Sequence, residues 1–261
     1  CTPCTPMFPL LAGKSYKLHL MLLLAASNMN SEAFAKFKSI LESVVYYTVI
    51  DKIATNITER TFALWCRDVR NIITVEDLDC FVKNTIIPTV NDWKLDNKSN
   101  FLRLGLNSMQ QYRIKFILGK ITAYVDALKL GKTTVEDLTT YTETAVEIEH
   151  IMPQTCTDKE LYGMDEEEFA VYINRLGNLT LLENTINRSI QNDVYANKAT
   201  YYKQSKFYIT SSISELVNLG QDTAINRTNS LLSSWSDWNK QAIEERQEMF
   251  YRLSEMIWEL R

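Results

Sequence analysis

One histidine of this chain has neighbours with which it could do chemistry. The sequence contains two histidines, and His150 directly follows Glu149 in the stretch VEIEHIMPQ, residues 146–154. An imidazole titrates near neutral pH and can take a proton from water. Glu149 and the later Asn187 carry hard oxygen ligands of the kind that magnesium prefers. A base, and a cation held by such ligands, are what the hydrolysis of a phosphodiester requires.

Each of these residues also has an ordinary structural interpretation. A histidine flanked by isoleucines is more often a buried core residue than a catalytic one. Asn178 after a glycine is typical of a turn, and Asn187 before Arg-Ser is typical of a helix cap. Lys198 and Tyr202 alone would be a solvated helix face with an interfacial aromatic. What favours chemistry is that EH-x-x-P, GNL and a later asparagine occur together, in the order strand, loop, strand and helix.

The residues around His150 predict two strands and a following helix. Residues 144–153 alternate apolar and polar side chains as a strand does, and NLTLLEN at 178–184 is a second strand candidate. Residues 158–177 between them predict a loop with one short helix. Residues 186–207 predict helical structure.

Glu149 and His150 are neighbours, and neighbours on a strand point to opposite faces. The two side chains can therefore serve one centre only if the strand ends or twists at this point. Pro153 favours such an end, because proline cannot donate to the hydrogen-bond ladder of a sheet.

The remainder of the chain is predicted to be helical. Seven glycines and five prolines are few for 261 residues, which disfavours a β-sandwich or barrel with many tight turns. Ser31 is expected to start one helix and Pro88 to stop another, while the asparagine- and lysine-rich residues 91–100 are expected to form an exposed loop. His19 lies in an apolar helical stretch and is interpreted as a core or interface residue. The ranges with helical periodicity are 15–50, 58–70, 74–87, 108–130 and 211–261.

These patterns together predict a mostly α protein in which a short strand-containing segment is embedded. Residues 1–140 are predicted to form an N-terminal helical part, and residues 141–210 form the segment that contains His150. Residues 211–261 are predicted to be C-terminal helices that pack on the first part.

The composition limits the partners and the location. The net charge is −4, so contacts with nucleic acid must come from local basic patches. Residues 107–132 carry five basic side chains and one acidic side chain, and residues 188–206 carry four basic side chains and one acidic side chain. Five cysteines form no regular disulfide framework, and Cys1 and Cys4 lack a second pair of zinc ligands. The longest apolar run, residues 18–26, is too short to cross a membrane, and no signal-peptide pattern is visible. We therefore predict reduced thiols and a cytoplasmic location, and the missing initial methionine indicates a fragment.

The stretch EHIMPQ, followed by RLGNLTLLENTIN and YANKATYYKQS, resembles the ββα-metal, or HNH, nuclease motif. The stretch is most similar to the variant of this motif that is found at the C-terminus of GmrSD-type modification-dependent restriction proteins. A phosphorothioate-sensing antiphage protein of the same architecture is a candidate close relative. The closing WNKQAIEERQEMFYRLSEMIW and the upstream YRIKFILGKI resemble flanking helices of that domain. The resemblance covers most of residues 15–261 and is strongest over 147–205.

The resemblance implies a role for each residue of the motif. His150 would be the general base. Glu149, at a position often held by aspartate, would be a metal ligand; being one methylene longer, it would reach the metal differently or through water. Asn178 would hold the loop and orient the histidine. Asn187, nine residues later, would complete the metal site, with Asn184 as its nearest competitor.

Lys198 and Tyr202 match the K-x-x-x-Y pattern of the family, one helical turn apart. The resemblance implies that both act in catalysis and face the scissile phosphate or its neighbour.

The function implied by the resemblance is that of a Mg²⁺-dependent endonuclease, with Mn²⁺ as a substitute, that nicks DNA as the effector of an antiphage restriction system. An upstream sensor domain of the same protein would select modified phage or foreign DNA, and a homo-oligomer could cut both strands. No membrane partner is expected. Two alternatives stay open: a non-catalytic helical module with a vestigial motif that binds DNA or docks the sensor domain, and an enzyme that cleaves RNA.

Overall fold

The computed structural model describes residues 16–132, 138–156 and 162–260. It is 63% helical and 5% strand, and its strands form a two-stranded sheet. This confirms the predicted mostly α fold, a helical domain with a strand–strand–helix segment. Cys1 and Cys4 lie outside the described residues. None of the helices in the described ranges combines the length and the apolar character of a membrane span.

The elements within these ranges are numbered in chain order. The helices are α1 Leu18–Ala25, α2 Ser31–Ile50, α3 Thr55–Val69, α4 Val75–Phe81, α5 Ile87–Trp93, α6 Asn97–Leu102, α7 Gln111–Lys129, α8 Thr139–Thr142, α9 Glu166–Tyr172, α10 Asn184–Ile190, α11 Tyr195–Tyr202, α12 Tyr208–Ser211, α13 Ala224–Asn229 and α14 Lys240–Ile257. The strands are β1 Val146–His150 and β2 Leu179–Glu183. A 3₁₀ turn at Leu176–Asn178 leads into β2, and a π-helical segment at Val82–Ile86 joins α4 to α5.

The described chain divides into two compact units. Residues up to Phe101, together with those from Trp258 onward, form the first unit, and Leu102–Ile257 form the second. Helix α2 supplies much of the first core: Phe37, Leu41 and Val44, spaced by three or four residues, are almost inaccessible to solvent.

Two predicted helix starts can be compared with the capping contacts. Thr74, the first residue of the predicted range 74–87, caps α4: its side chain accepts from the N–H of Asp77 while the Asp77 carboxylate accepts from the N–H of Thr74 in return. Helix α2 begins at Ser31, as predicted, and its cap lies one residue earlier. The cap is Asn30, whose side chain accepts from the N–H of Ala33.

The prediction that Pro88 stops a helix is wrong. Helix α4 continues through the π-helical Val82–Ile86 into α5, and Pro88 lies in the first turn of α5. A proline ring normally collides with the carbonyl four residues earlier, and proline donates no backbone hydrogen bond. The wider π turn directly before Pro88 gives the ring room and removes the need for that donor.

The predicted exposed loop at 91–100 is also largely helical, because α5 extends to Trp93 and α6 begins at Asn97. Nδ2 of Asn97 donates to Asp51 at 2.7 Å, and Nδ2 of Asn100 donates to the other carboxylate oxygen at 3.0 Å. The asparagines that indicated a loop thus fix α6 to the C-terminal end of α2.

Helix α7 supplies the core of the second unit. Ile114, Ile117, Ile121 and Val125 are fully buried at helical spacing, and the helix contacts β2 and α14. It ends, as predicted, just before Gly131, whose φ of 72° lies in the left-handed region that glycine adopts without strain.

The two predicted strands are confirmed and pair in antiparallel fashion. Val146 lies opposite Glu183, and His150 lies opposite Leu179. The connection between the strands contains α9, the predicted short helix. Helices α10 and α11 follow β2 in the range predicted to be helical.

The prediction of helical structure from residue 211 is only partly right. Helices α13 and α14 form there, but residues 212–223 and 230–239 are irregular. At the start of each stretch a serine hydroxyl, that of Ser212 or Ser230, donates to a main-chain carbonyl of the preceding helix. In addition, Gly220 and Asp222 have φ values of 66° and 46°, which an α-helix does not allow.

Candidate active site

Glu149 and His150 are the last two residues of β1. Glu149 lies opposite Thr180 and His150 opposite Leu179, so the strand ends where the sequence indicated that it should. Both residues are largely buried, with exposed fractions of 6% and 8%. Their polar atoms therefore depend on partners supplied by neighbouring elements.

Lys198 and Tyr202 reach Glu149 from α11. Nζ of Lys198 donates to Oε1 of Glu149 at 2.6 Å, and the hydroxyl of Tyr202 donates to the same oxygen at 3.0 Å. Nζ of Lys198 also donates to the main-chain carbonyl of His150 at 2.7 Å. The structure thus joins four of the predicted site residues in one buried cluster.

The direction of Lys198 and Tyr202 differs from the one that the resemblance implies. Each residue is 1% exposed, and the polar end of each contacts Glu149 instead of a surface that a phosphate could reach. Their spacing of four residues places both on one side of α11. Their contacts fix the carboxylate of Glu149 and the C-terminal end of β1.

Burial and charge pairing act in opposite directions on the Glu149 carboxyl. Burial raises its pKa, and the Lys198 ammonium and the Tyr202 hydroxyl counteract that rise. Burial also raises the pKa of Tyr202 well above its usual value, and the charge of Glu149 adds to the effect, so the phenol remains a hydrogen-bond donor. A buried ion pair of this kind depends on both members, because either charge left alone is costly.

His150 is held in its neutral form. Burial lowers its pKa to about 4, and the nearby Lys198 charge adds to the lowering. A neutral imidazole is the form that can accept a proton. Nε2 of Gln154, an exposed residue, lies 2.9 Å from Nδ1 of His150 and, as an amide nitrogen, donates to it. The acceptor lone pair of the imidazole is therefore covered by a side chain that comes from the surface.

Asn178 ties several segments together and is inaccessible to solvent. Its Oδ1 accepts from the N–H of Met152 at 2.8 Å and from Nε1 of Trp238 at 2.9 Å. Its Nδ2 donates to the carbonyl of Ile173 at 2.9 Å, and its own carbonyl accepts the N–H of Ile151 at 2.9 Å. Two of these contacts fix the chain directly after β1.

Asn187 contacts Glu147 and not Glu149. Nδ2 of Asn187 donates to Oε2 of Glu147 at 2.7 Å. Glu147 precedes Glu149 by two residues on β1 and so shares its face of the strand. The competitor Asn184 begins α10, and its backbone N–H donates to the carbonyl of Ala145 at 2.9 Å.

Residues of α14 support the site and were not identified from the sequence. Arg246, inaccessible to solvent, donates from Nη1 to the carbonyls of Gly177 at 2.8 Å and Leu179 at 2.7 Å. Oε1 of Gln247 accepts the N–H of Gly177 at 2.5 Å. A Cβ on Gly177 would lie 2.2 Å from the carbonyl oxygen of Ile243, so only glycine fits against α14 at this point.

Weak sequence signals for the missed residues do exist. Glu147 alternates with Glu149, so the strand pattern already places both carboxylates on one face. Arg246 lies three residues after Ile243 and four before Phe250, on the apolar face of an amphipathic helix. A charged side chain is rarely buried on such a face unless it has hydrogen-bond partners, so its position indicates a specific role.

The predicted site residues with oxygen donors can be tested for their fit to a metal ion. Within the described ranges, no three or more His, Cys, Asp or Glu side chains cluster as metal ligands. The carboxylate of Glu149 and the Oδ1 of Asn187, which accepts no hydrogen bond from the described residues, are hard oxygen donors. Mg²⁺ takes only one or two protein ligands and completes its shell with water and phosphate, so the chemistry of this donor set fits Mg²⁺ or Mn²⁺ better than zinc.

The fold and the site define a helical domain with an embedded ββα segment, in which a buried carboxylate and a neutral histidine meet at the end of a strand. The sequence matches the family described as GmrSD restriction endonucleases, C-terminal domain, over residues 90–253, which is more than half of the chain. The chain therefore belongs to that family, and the resemblance to the C-terminal domain of GmrSD-type restriction proteins is confirmed over these residues. A comparison with curated proteins found no match. Family membership indicates a nuclease function of the restriction type with DNA as substrate, and such nucleases usually need a divalent metal ion.

Proposed function

We propose that this chain is a metal-dependent DNA endonuclease of the HNH type that nicks one strand, as the effector of a modification-dependent antiphage restriction system. The observation that carries the proposal is the neutral His150 beside the charge-paired Glu149 at the end of β1. A neutral imidazole next to a hard carboxylate ligand is the combination that activates water at a phosphate. Membership in the restriction-endonuclease family supports the same reaction class.

His150 accepts the proton of the attacking water at Nδ1. The donor nitrogen of Gln154 lies 2.9 Å from that atom, which is also a suitable distance for a water molecule. Because Gln154 is exposed, substrate can displace its side chain, and a water molecule can take its place without any change in β1.

Glu149 and Asn187 are the residues that would hold the cation, Mg²⁺ or, as a substitute, Mn²⁺. The bound cation supplies stabilisation of the negative charge on the phosphate and on the leaving oxygen. Lys198 and Tyr202 act through Glu149, since they fix the position of its carboxylate. Asn178 fixes the loop after β1 and thereby the orientation of the imidazole.

The proposed partners follow from the surface charge and from the reaction. Arg188 of α10 and Lys203 and Lys206 after α11 are exposed and can contact the phosphate backbone, which gives salt-sensitive binding without sequence preference. One base and one cation cut one strand, so a double-strand break needs a homo-oligomer or two successive nicks. An upstream sensor domain would select modified DNA, and the proposed location is the cytoplasm.

Incubation of the full chain with supercoiled plasmid and Mg²⁺ tests the proposal. We expect nicked circles from the wild type and none when the metal is chelated. His150→Ala should lower the nicking rate by about 10²–10⁴-fold, because a general base contributes that much. Asn187→Ala should also lower the rate, and Asn184→Ala is its matched control, expected to keep the wild-type rate. Circular dichroism of each variant verifies that it is folded.

A non-catalytic module with a vestigial motif is the second candidate, and the burial of the cluster favours it. Glu149 and His150 expose only 6% and 8% of their surface, and Lys198 already balances the carboxylate charge. Such a module would bind DNA or dock the sensor domain. Equal plasmid outcomes for the wild type and His150→Ala, with DNA binding retained, would establish it. Cleavage of RNA in preference to plasmid would instead change the substrate class.

A further inference from the structure

We propose that Glu147 is a positioning residue, which holds the side-chain NH₂ of Asn187 and thereby leaves its carbonyl oxygen Oδ1 to serve as a metal ligand. This inference rests on the proposed function and extends it by one residue. It starts from the contact between Nδ2 of Asn187 and Oε2 of Glu147 at 2.7 Å.

The position of Glu147 follows from the strand. Glu147 lies opposite Leu182 in the sheet and shares a strand face with Glu149, two residues further on. Helix α10, which carries Asn187, packs on both β1 and β2. The half-buried Asn187 is thereby brought to the face of β1 that carries both carboxylates.

The chemistry of the two groups determines the direction of the amide. The oxygen and the NH₂ group of an asparagine have nearly the same shape, so packing alone does not decide which end points where. In the structure the NH₂ group faces the Glu147 carboxylate, whose oxygen Oε2 accepts its hydrogen bond. Within the described residues, Glu147 is the hydrogen-bond partner of the Asn187 side chain, and Oδ1 remains without one.

A cation lies near Glu147 but is held by main-chain carbonyls. Lys115 of α7 donates to the carbonyls of Glu143 at 2.8 Å and Val146 at 2.6 Å, and its ammonium charge interacts favourably with the Glu147 carboxylate. The lysine is therefore fixed beside the carboxylate without a direct ion pair between them. This leaves the oxygen Oε2 of Glu147 for the amide of Asn187.

The variant Glu147→Gln removes the fixed direction while keeping the size of the side chain. A glutamine can donate as well as accept, so the amide of Asn187 can turn over and direct its NH₂ group toward the cation. Residues that orient metal ligands typically change metal affinity by about 10–100-fold when they are replaced. We expect a loss of Mn²⁺ affinity of at least about tenfold in Glu147→Gln, on that basis.

The affinity is measured by electron paramagnetic resonance titration of the full chain with Mn²⁺, in a His150→Ala background so that plasmid can be present uncut. Glu143→Gln is the matched control, because it removes an exposed charge near Lys115 without contacting Asn187. We expect wild-type Mn²⁺ affinity from this control. In an Asn187→Ala background, Glu147→Gln should cause no further loss, since its effect passes through the amide.

A second observable does not depend on metal at all. The side-chain NH₂ signals of Asn187 in a ¹⁵N correlation spectrum, assigned by their absence in Asn187→Asp, should shift or broaden in Glu147→Gln and stay unchanged in Glu143→Gln. Unchanged NH₂ signals in Glu147→Gln would overturn the inference.

The outcomes separate this inference from the proposed function. If the wild type nicks plasmid and binds Mn²⁺ while Glu147→Gln retains the full affinity, the inference is overturned and the function stands. An equal loss in Glu143→Gln, or a further loss in the Asn187→Ala background, also overturns it, because the effect is then one of charge or of direct ligation by Glu147. If the wild type neither binds Mn²⁺ nor nicks, the function and the inference fail together.

Discussion

One carboxylate in each unit, the half-buried Asp51 in the first and the buried Glu149 in the second, is held by partners of different chemistry. In the first unit Asp51 accepts hydrogen bonds from the amides of Asn97 and Asn100. In the second unit Glu149 accepts from an ammonium and a phenol, next to a histidine. Amides satisfy a carboxylate without adding charge, whereas an ammonium forms a buried pair in which each charge requires the other.

The difference separates a carboxylate that supports the fold from one that is suited to chemistry. Asp51 joins α2 to α6, and its amide partners serve that junction. Glu149 belongs to a cluster in which burial and charge also shift the pKa of a histidine, and such clusters concentrate at functional sites. The two carboxylates should therefore respond differently when their partners or their charges are changed.

The largest effect is expected when the cation of the Glu149 cluster is removed. Lys198→Met should lower the free energy of unfolding by about 3–5 kcal/mol, because it leaves a buried carboxylate without its countercharge. It should also abolish nicking. The double variant Glu149→Gln/Lys198→Met should recover part of the lost stability but none of the activity. Urea denaturation and the plasmid assay measure the two responses.

Lys203→Met is the matched control for that comparison. Lys203 also pairs with a glutamate, Glu215, at 3.0 Å, but both side chains are more than half exposed. Exposed pairs contribute little, so the free energy of unfolding should change by less than about 1 kcal/mol. Equal losses in Lys198→Met and Lys203→Met would contradict the special role of the buried pair.

A smaller effect is expected from neutralising the carboxylate of the first unit. Asp51→Asn keeps one acceptor oxygen but turns the other into an NH₂ group, so one of the two amide hydrogen bonds is lost. The free energy of unfolding should fall by about 1 kcal/mol at neutral pH, the usual net contribution of one hydrogen bond. Thermal or urea denaturation measures it, and nicking should be unaffected. A loss as large as that of Lys198→Met would remove the distinction between the two regions.

The smallest effect is a pH dependence that belongs to Asp51. Burial raises its pKa above the ordinary value of 3.8, while the two amides counteract the rise. A group with a raised pKa contributes stability below its unfolded pKa, and that contribution is lost as the pH rises through the folded value. We therefore expect the free energy of unfolding of the wild type, relative to that of Asp51→Asn, to decrease as the pH rises from about 4 to neutral. Urea denaturation of both proteins across this range measures it, and an increase would show that the amides outweigh burial.

Local patterns predicted the elements whose signals lie within a few residues of each other. The alternation before His150 and the helical periodicity of residues 108–130 each gave the right element. The errors arose where other forces decide. Asn97 lies 46 residues from Asp51, so composition alone indicated a loop where a tertiary contact stabilises a helix. At Pro88 a π turn, which no local rule anticipates, accommodates the ring.

For the candidate site, the sequence indicated which residues belong together but not which of their atoms form hydrogen bonds with one another. Lys198 and Glu149 are 49 residues apart, and Arg246 and Gly177 are 69 apart, so no helical or strand period connects them. The packing of α11 turned Lys198 toward Glu149, and the packing of α10 brought Asn187 to Glu147, a carboxylate that the motif does not include.

The dependence of the Gly177–Leu179 segment on α14 has a consequence for the order of events during translation. A nascent chain whose His150 has just left the ribosome still lacks Arg246 and Gln247, whose hydrogen bonds hold the segment around Asn178. The motif therefore emerges from the ribosome well before its support does. Any cleavage of the producing cell's own DNA that depends on this support is postponed until α14 has been synthesised and docked.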